Sequence, residues 1–539
     1  MPLTDIERKK ILDAALKLNI TPSVGWQNYS GFQKNTEMMV LDVEDTGSLQ
    51  KILQFINQLN YEKHPDELIL VRPAAGGLKK RYSESYSVHG VMGADVVIRL
   101  TGAEFTQIKS VNKDTGVVHI GASIQIGTLN KELYEEHDLT LPTSSLNPYI
   151  TLIGLAATGG IGTGKDQPAI TGLIQSLHLC LPDGKLVTLD KAHPDFNTIV
   201  SAHQGLFGFV LSAEVLCTEA KKMECIIEVT SLRGLIEHLH SGMLQTTDYT
   251  SILIIPQYLP DELTNPEYRN VRIYRWKPIC RDKQDIHNNP LQSGIQQRMT
   301  TGLCDFFKIG EFLCQHPSYI PAFTRYISSP IAIGSSSYTT ISPWYTSVHH
   351  QTEYPHSIED TGVIFETGED CKEVIAALEK VFDTLHKNAE EGIYPVIMGI
   401  YIRYLQGSNG GISITQHREG FHVCSLDFVS HNEIPGHDTF QKEMLTFFMS
   451  KFGARPHLGK ALPEGYSLNC PEYVDALRKW YADNELELSK SILMTPHFRR
   501  LIKLDDIRDE HPVYGKMNFF ASSSAASSSS ASSSSGYRP

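Results

Sequence analysis

Three things are missing from this 539-residue chain, and each absence removes a class of function. No stretch of about eighteen or more uncharged apolar residues occurs, so no transmembrane helix is expected. The opening Met1–Lys10 is polar and amphipathic and lacks the pattern of a signal peptide, which points to a cytoplasmic protein. Nine cysteines are scattered without a Cys-x-x-Cys or any Cys/His zinc spacing, and their odd number suits reduced thiols. Positive charge is in deficit, with 48 Lys and Arg against 61 Asp and Glu. A net charge of −13 excludes the basic surface that nucleic acid demands. A small-molecule substrate is the partner left to expect.

The common nucleotide motifs are missing too. The dinucleotide fingerprint needs Gly-x-Gly-x-x-Gly, but Gly160-Ile161-Gly162 is followed by Thr163-Gly164, so the third glycine comes early. A P-loop ends Gly-Lys-Ser/Thr, and Gly164-Lys165-Asp166 lacks the hydroxyl that holds magnesium. A nicotinamide-linked dehydrogenase and a P-loop ATPase are both disfavoured. Length demands two or more domains, and 41% hydrophobic with 20% charged residues is ordinary globular composition.

What the chain does have is a glycine run, Ala156-Ala157-Thr158-Gly159-Gly160-Ile161-Gly162-Thr163-Gly164, with four glycines in its last six positions. A flexible surface loop would mix glycine with serine and charge; this run mixes it with Ala, Thr and Ile, a composition that packs. Glycine permits close backbone approach, and successive free N–H groups make a concavity for an anion. Upstream, Leu68-Ile69-Leu70-Val71 reads as a short buried strand running into Arg72-Pro73-Ala74-Ala75-Gly76-Gly77. Two such clamps about eighty residues apart suit a ligand with a diphosphate in its middle.

The order of these segments resembles the FAD-binding domain of the vanillyl-alcohol oxidase and p-cresol methylhydroxylase (PCMH) family. Val71–Gly77 is similar to its Val-Arg-x-x-Gly-x-Gly loop, and Gly154–Gly164 to its second glycine segment. Leu177–Gly184 resembles its strand ending in Asp-Gly, and Gly205–Val215 its Gly-x-Leu-Gly-Val-Ile segment. Asn28-Tyr29-Ser30-Gly31 and Arg455-Pro456-His457-Leu458-Gly459-Lys460 resemble segments of the sugar-lactone and alditol oxidases, a branch that stands beside type II cholesterol oxidases. The resemblance runs from about Trp26 to Phe519 and is thin from about 225 to 390.

It implies an α+β fold, with a two-lobed PCMH-type FAD-binding domain and a mixed-sheet cap that carries the substrate. The expected divisions are an N-terminal helical segment over 1–34, the FAD domain over 35–220 and the cap over 221–437. A segment returning to the FAD domain covers 438–519, and a disordered Ser/Ala tail 520–539. Apolar spacing predicts helices over Gly47–Leu59, Ile126–His137, Cys371–His386, Phe440–Phe452 and Glu472–Asn484. Strands are expected at Val96–Leu100, Val117–Ala122, Ile252–Ile255, Val271–Tyr274 and Tyr394–Leu405.

FAD is the cofactor the resemblance implies. Its contacts are expected from Arg72, Pro73, Ala74, Ala75, Gly76, Gly77 and Leu78, from Gly154, Thr158, Gly159, Gly160, Gly162, Thr163 and Gly164, and from Gly208 and Val210. Many relatives bond a histidine covalently to the flavin where alignment on Val71-Arg72 and Gly77 places Leu78. Non-covalent FAD is therefore expected, and His89, too far along the loop, is read as structural.

The catalytic candidates are Arg403, Lys460, His457 and Tyr401. Arg403 ends an apolar strand, where a cation can stabilise a substrate oxygen or the reduced ring; without the resemblance, a structural ion pair would be the simpler reading. In the sugar-type oxidases a glutamate stands where this chain has Tyr401, which argues against the same polyol or lactone. A tyrosine there donates a hydrogen bond and acts as a base only if its pKa falls. His349-His350 and Tyr354-Pro355-His356 invite a metal reading, but adjacent histidines on a strand point apart, so no metal is expected. Glu353 and Glu366 are weaker candidate acids of the cap. Its aromatic residues, Trp276, Phe306, Phe307, Phe312, Tyr319, Trp344 and Tyr345, fit either core packing or a bulky apolar substrate.

The resulting expectation is an FAD-dependent oxidoreductase that takes a hydride from an alcohol or lactone (polyol, sugar lactone or sterol-like) to flavin N5, with oxygen or another acceptor reoxidising the ring. The rival is a flavin-binding scaffold without turnover.

Overall fold

The computed structural model describes residues 3–29, 31, 33–75, 87–286, 306–328, 337–349, 358–408, 421–462, 465–468 and 470–504. Gly76, Gly77, Leu78, His350, Glu353, Tyr354, Pro355, His356 and the Ser/Ala tail lie outside them.

Helices and sheets alternate in an α+β chain. A four-stranded sheet comes first, built from β1 (Thr21–Gln27), β2 (Lys34–Val43), β3 (Val71–Pro73) and β4 (Val96–Leu100) in the order β1-β2-β4-β3. Both β2 and β3 run parallel to β4, and the Thr46–Asn60 helix connects β2 towards β3. That helix buries Leu49, Ile52, Leu53 and Ile56, at helical spacing, and Asp45 caps it by accepting from Ser48 N–H. A five-stranded antiparallel sheet follows: β5 (Ile108–Asn112), β6 (Val117–Gly121), β8 (Ile174–Cys180), β9 (Leu186–Asp190) and β10 (Phe209–Leu216), in the order β5-β6-β10-β8-β9. A two-stranded ribbon pairs β7 (Leu139–Thr140) with β11 (Thr218–Glu219).

The large sheet has eight strands: β12 (Lys222–Thr230), β13 (Tyr249–Ile254), β14 (Val271–Ile279), β15 (Tyr338–Pro343), β16 (Ile358–Thr367), β17 (Gly399–Gln406), β18 (His422–His431) and β19 (Arg455–Pro456). Its order is β15-β12-β14-β13-β17-β18-β16-β19. One face of its central strands packs on the Lys372–Glu390 and His437–Phe452 helices, where Ile400, Ile402, Leu426 and Phe428 meet Leu378, Phe382, Phe440 and Phe448. Alternation then sends Tyr401, Arg403, Ser425 and Asp427 to the other face.

The chain's end packs back on its first half. Tyr473, Trp480 and Phe498 share a core with Leu177, Ile199 and Phe207, and the Tyr473 hydroxyl donates to His203 O at 3.1 Å.

Several element expectations need correcting. The segment 1–34 is not helical throughout: Asp5–Lys17 is a helix, but Thr21–Gln27 pairs with β2. The strand expected over Leu68–Val71 begins three residues later, at Val71–Pro73, because Ile69 is held by the Asn60 side chain and Leu70 N–H by Asp95. The strand expected from Tyr394 begins at Gly399. There the φ of +127° favours glycine, and a Cβ would lie 2.6 Å from Leu253. Of the aromatic residues, Trp276 and Trp344 are core, whereas Phe312 and Tyr319 are exposed.

Candidate functional site

A cavity of about 720 Å³ opens where all three larger sheets converge. Arg72, Pro73, Ala74 and Ala75 enter it from the end of β3, and Gly154, Thr158 and Ile161 from the glycine run. Gly208 and Val210 come from the start of β10, and Tyr401, Arg403, His457 and Lys460 from the large sheet and the turn after β19. The two turns separated by about eighty residues in sequence thus share one wall.

Not every glycine faces that space. Among the described residues Gly159, Gly160, Gly162, Thr163 and Gly164 are absent from the wall. A Cβ on Gly160 would lie 2.0 Å from Leu155, and one on Gly162 would lie 2.1 Å from Thr143 Oγ1. Gly160 N–H donates to Leu155 O at 2.7 Å and Gly164 N–H to Tyr404 O at 3.0 Å, while Thr163 donates its hydroxyl to Thr250 O. These residues allow close packing behind the wall. Leu155, Ala157 and Ile161, unremarkable in sequence, reach it together with Gly154 and Thr158.

The wall fits a polar, anionic ligand. Arg72 is 2% exposed and donates to backbone carbonyls of Gly90, Gly205, Leu493 and Gln204. Its guanidinium carbon sits 4.2 Å from the Phe498 ring centre. No carboxylate pairs with it among the described residues, and burial pushes its pKa down to about 9. A buried cation without a counter-charge is costly, and a diphosphate bound in the cavity would supply one. Beside it Ala202 and Gln204 adopt left-handed φ values of +55° and +52°, unusual for non-glycine residues. The buried Nε2 atoms of His203 and Gln204 lack hydrogen-bond partners among the described residues. Strain and orphaned polar atoms at a cavity wall are signs of a binding site. Arg72, Ala74, Ala75, Thr158, Gly208 and Val210 would hold the cofactor.

At the other end lies a charged quartet. Arg403 on β17 pairs with Asp427 on β18. Lys460 Nζ lies 2.9 Å from Asp427 Oδ1 and 2.8 Å from Asp360 Oδ2. Gly362 makes this possible, since a Cβ there would lie 2.3 Å from Asp427 Oδ1 and 3.2 Å from Lys460 Nζ. The turn after β19 brings Lys460 round: His457 N–H donates to Gly362 O at 2.8 Å and Lys460 N–H to His457 O at 3.0 Å.

Burial opposes ionisation of Asp427, but Lys460 and Arg403 outweigh it and hold the carboxyl far below the ordinary range. Burial likewise works against the charge of Lys460, and Asp360 with Asp427 raises its pKa all the same. His457 is driven down to about 3 by burial and by Lys460. Its Nδ1 accepts from Gly459 N–H at 3.0 Å, so its proton sits on Nε2. Burial pushes the Tyr401 phenol up to about 12. Both rings are therefore neutral hydrogen-bond partners at physiological pH.

Sequence reasoning overlooked Asp360, Asp427 and Glu359, all on the wall. Burial, then Asp438 and Asp360, push the Glu359 carboxyl up to about 7. Its folded pKa exceeds the unfolded value of about 4.3, so its contribution to stability is complete below about pH 4 and is lost as pH rises through 7. Glu359→Gln is expected to gain stability over wild type at pH 8 relative to pH 5, read as urea midpoints. An unchanged difference would exclude this carboxyl as the titrating group. Glu366 is not on the wall.

His89 turns away from it while its neighbours Val88 and Gly90 line it. Its ring contacts Lys460 O at 2.9 Å and stacks on His497 at 5.1 Å. His349 is buried between Asn130 and Leu146 O.

Residues 75–190 match the model of a family described as FAD binding domain. No curated protein matches the sequence. Among solved structures, a solvent-stable cholesterol oxidase superposes with a TM-score of 0.67 at 15% identity, covering 90% of this chain and 98% of that one. A xylooligosaccharide oxidase from Myceliophthora thermophila C1 gives 0.58 at 11% identity, with 90% and 98% covered. Physcomitrella patens BBE-like 1 gives 0.58 at 12%, with 89% and 98% covered. No helix among the described residues is long and apolar enough to cross a membrane. The chain thus has the fold of the PCMH-type FAD-binding oxidases and carries an FAD-binding domain.

Proposed function

We propose that this protein is an FAD-dependent oxidoreductase of the vanillyl-alcohol oxidase/PCMH family that oxidises a neutral alcohol. One observation carries the reading: the Arg403–Asp427–Lys460–Asp360 quartet stands in the same cavity wall as the turns suited to the cofactor. A bound flavin supplies the acceptor for a hydride leaving the substrate carbon.

The chain's own residues set the rest. Arg403 and Lys460 offer donors to an oxygen that gains negative charge, and fixed donors in a buried site need no reorganisation. Lys460, its charge sustained by two carboxylates, offsets negative charge arriving in the cavity. Tyr401 and the Nε2–H of His457 orient without changing protonation state. Asp427 is committed to two cations, which leaves Glu359 as the wall carboxyl that titrates near neutrality.

Two cations against two carboxylates leave the quartet neutral, so it does not select an anionic substrate. Met398 and Val429 add apolar surface to the same wall as Tyr401. Within the set polyol, lactone and sterol-like alcohol, this favours the sterol-like secondary alcohol, the substrate class named for the cholesterol oxidase neighbours. The described cysteines are all free, in keeping with a cytoplasmic protein.

The test is anaerobic mixing of the yellow holoprotein with sterols, aliphatic secondary alcohols, alditols and lactones. Bleaching of the flavin by a neutral alcohol is expected. A yellow protein that no member bleaches would favour the silent scaffold, which the inert Tyr401 phenol suits. Non-covalent attachment, argued from Leu78 and the averted His89, predicts a colourless pellet after acid precipitation with all flavin in the supernatant. A yellow pellet would overturn it.

A further inference from the structure

We infer that Cys314, His431 and Glu433 form a binding site for a zinc-class divalent cation, apart from the FAD cavity, which fastens the Phe306–Gln315 helix to the end of β18. Their donor atoms, one thiol sulfur, one imidazole nitrogen and one carboxylate oxygen, lie within 4.8 Å of one another. Cys314 Sγ is 3.3 Å from His431 Nδ1. That spacing matches two ligands sharing an ion with bonds of about 2.3 Å to sulfur and about 2.0 Å to nitrogen.

His431 is buried, and its Nδ1 faces the Cys314 sulfur at 3.3 Å; that nitrogen accepts from Glu433 N–H at 3.2 Å, and an ion bound there takes over the lone pair in exchange for that hydrogen bond. Gly310 lets the helix close on the ring: a Cβ there would lie 3.0 Å from His431 Cδ2. The helix presents Glu311 one turn before Cys314.

The surrounding charge favours a cation. Glu433 and Glu311 both stand close enough to Cys314 to act on it electrostatically, and an ordinary thiol at neutral pH carries its proton. Binding replaces that proton: the S–H bond breaks, a sulfur–metal bond forms, and one H⁺ passes to solvent with no change of oxidation state. Sulfur, imidazole and carboxylate together select zinc-class ions over calcium or magnesium. The consequence reaches the cavity, because His431 pairs with Ile358, which lines it.

The test uses the full-length holoprotein, stripped with a chelator and dialysed, then titrated with Zn²⁺ alone and, separately, Co²⁺ alone. Wild type is expected to bind one equivalent more Zn²⁺ than Cys314→Ser, and its Co²⁺ form to show a thiolate charge-transfer band with tetrahedral d–d transitions. Cys314→Ser should lose that band, and Glu433→Gln, exposed and mild, should weaken Zn²⁺ binding by about 10-fold or more. Equal stoichiometry in wild type and Cys314→Ser, or a cobalt spectrum without the thiolate band, would overturn the site. FAD content and alcohol-dependent bleaching are measured in parallel, so failure here is separable from failure of the proposed activity.

Discussion

Asp427→Asn is expected to cost about 3–5 kcal/mol of stability, because it strips a buried carboxylate from two cations at once. Asparagine keeps the shape and still accepts a hydrogen bond, so the loss reports charge. Arg403→Met should slow anaerobic flavin reduction by about 10²–10³, the usual cost of removing a donor to a developing oxyanion. The two roles separate in the double variant. Replacing Asp427 and Arg403 together by apolar residues leaves Lys460 with Asp360 and no orphaned charge, so stability should recover while reduction stays slow. Urea unfolding and stopped-flow reduction give the two readouts. Wild-type stability in Asp427→Asn would mean the pair is not buried as described; wild-type reduction in Arg403→Met would remove it from the chemistry.

The second large effect is predicted at Gly162. A Cβ there meets Thr143 Oγ1 at 2.1 Å and Ser144 backbone atoms at 2.8 Å, so Gly162→Ala must displace the run. Ile161, its neighbour, lines the cavity, and its carbonyl accepts from Arg403 at 3.4 Å. The purified variant should retain less than about a tenth of the FAD, since a 1.4 kcal/mol loss of binding is already tenfold. The control is Gly453→Ala: its φ is +60° but nothing lies within 4 Å of the added Cβ. It should cost about 1 kcal/mol and leave flavin content unchanged. Equal FAD in both would show that packing behind the wall does not govern the cofactor site.

How far the sequence carried the reading depends on what kind of signal each residue leaves. The helices at Thr46–Asn60 and Ile126–His137 were legible because their apolar spacing matches one buried face. Arg403 and Lys460 were legible through neighbouring motif residues. Asp427 was not, because its partners lie 24 and 33 positions away and meet it only through strand pairing and the turn after β19. A signal was available: Asp427 is the one charge in the apolar run Val423–Val429, and a charge inside a buried strand calls for a counter-charge. The glycine run misled in detail. Its composition suggested ligand contact, whereas Gly160 and Gly162 serve close packing, a distinction that needs the positions of Leu155 and Thr143.

The rung between Gly164 N–H and Tyr404 O, at 3.0 Å, splices the glycine run onto β17 one residue beyond Arg403. A splice of this kind makes occupancy of one end felt at the other. Under the proposed role of Arg403, ligation that quiets the loop lowers the entropy left to be lost when the guanidinium is engaged, and by reciprocity an alcohol analogue held there raises the cofactor's affinity by the same factor. The proposed cofactor and substrate ends of the cavity are therefore expected to titrate together, which FAD affinity measured with and without an alcohol analogue would read.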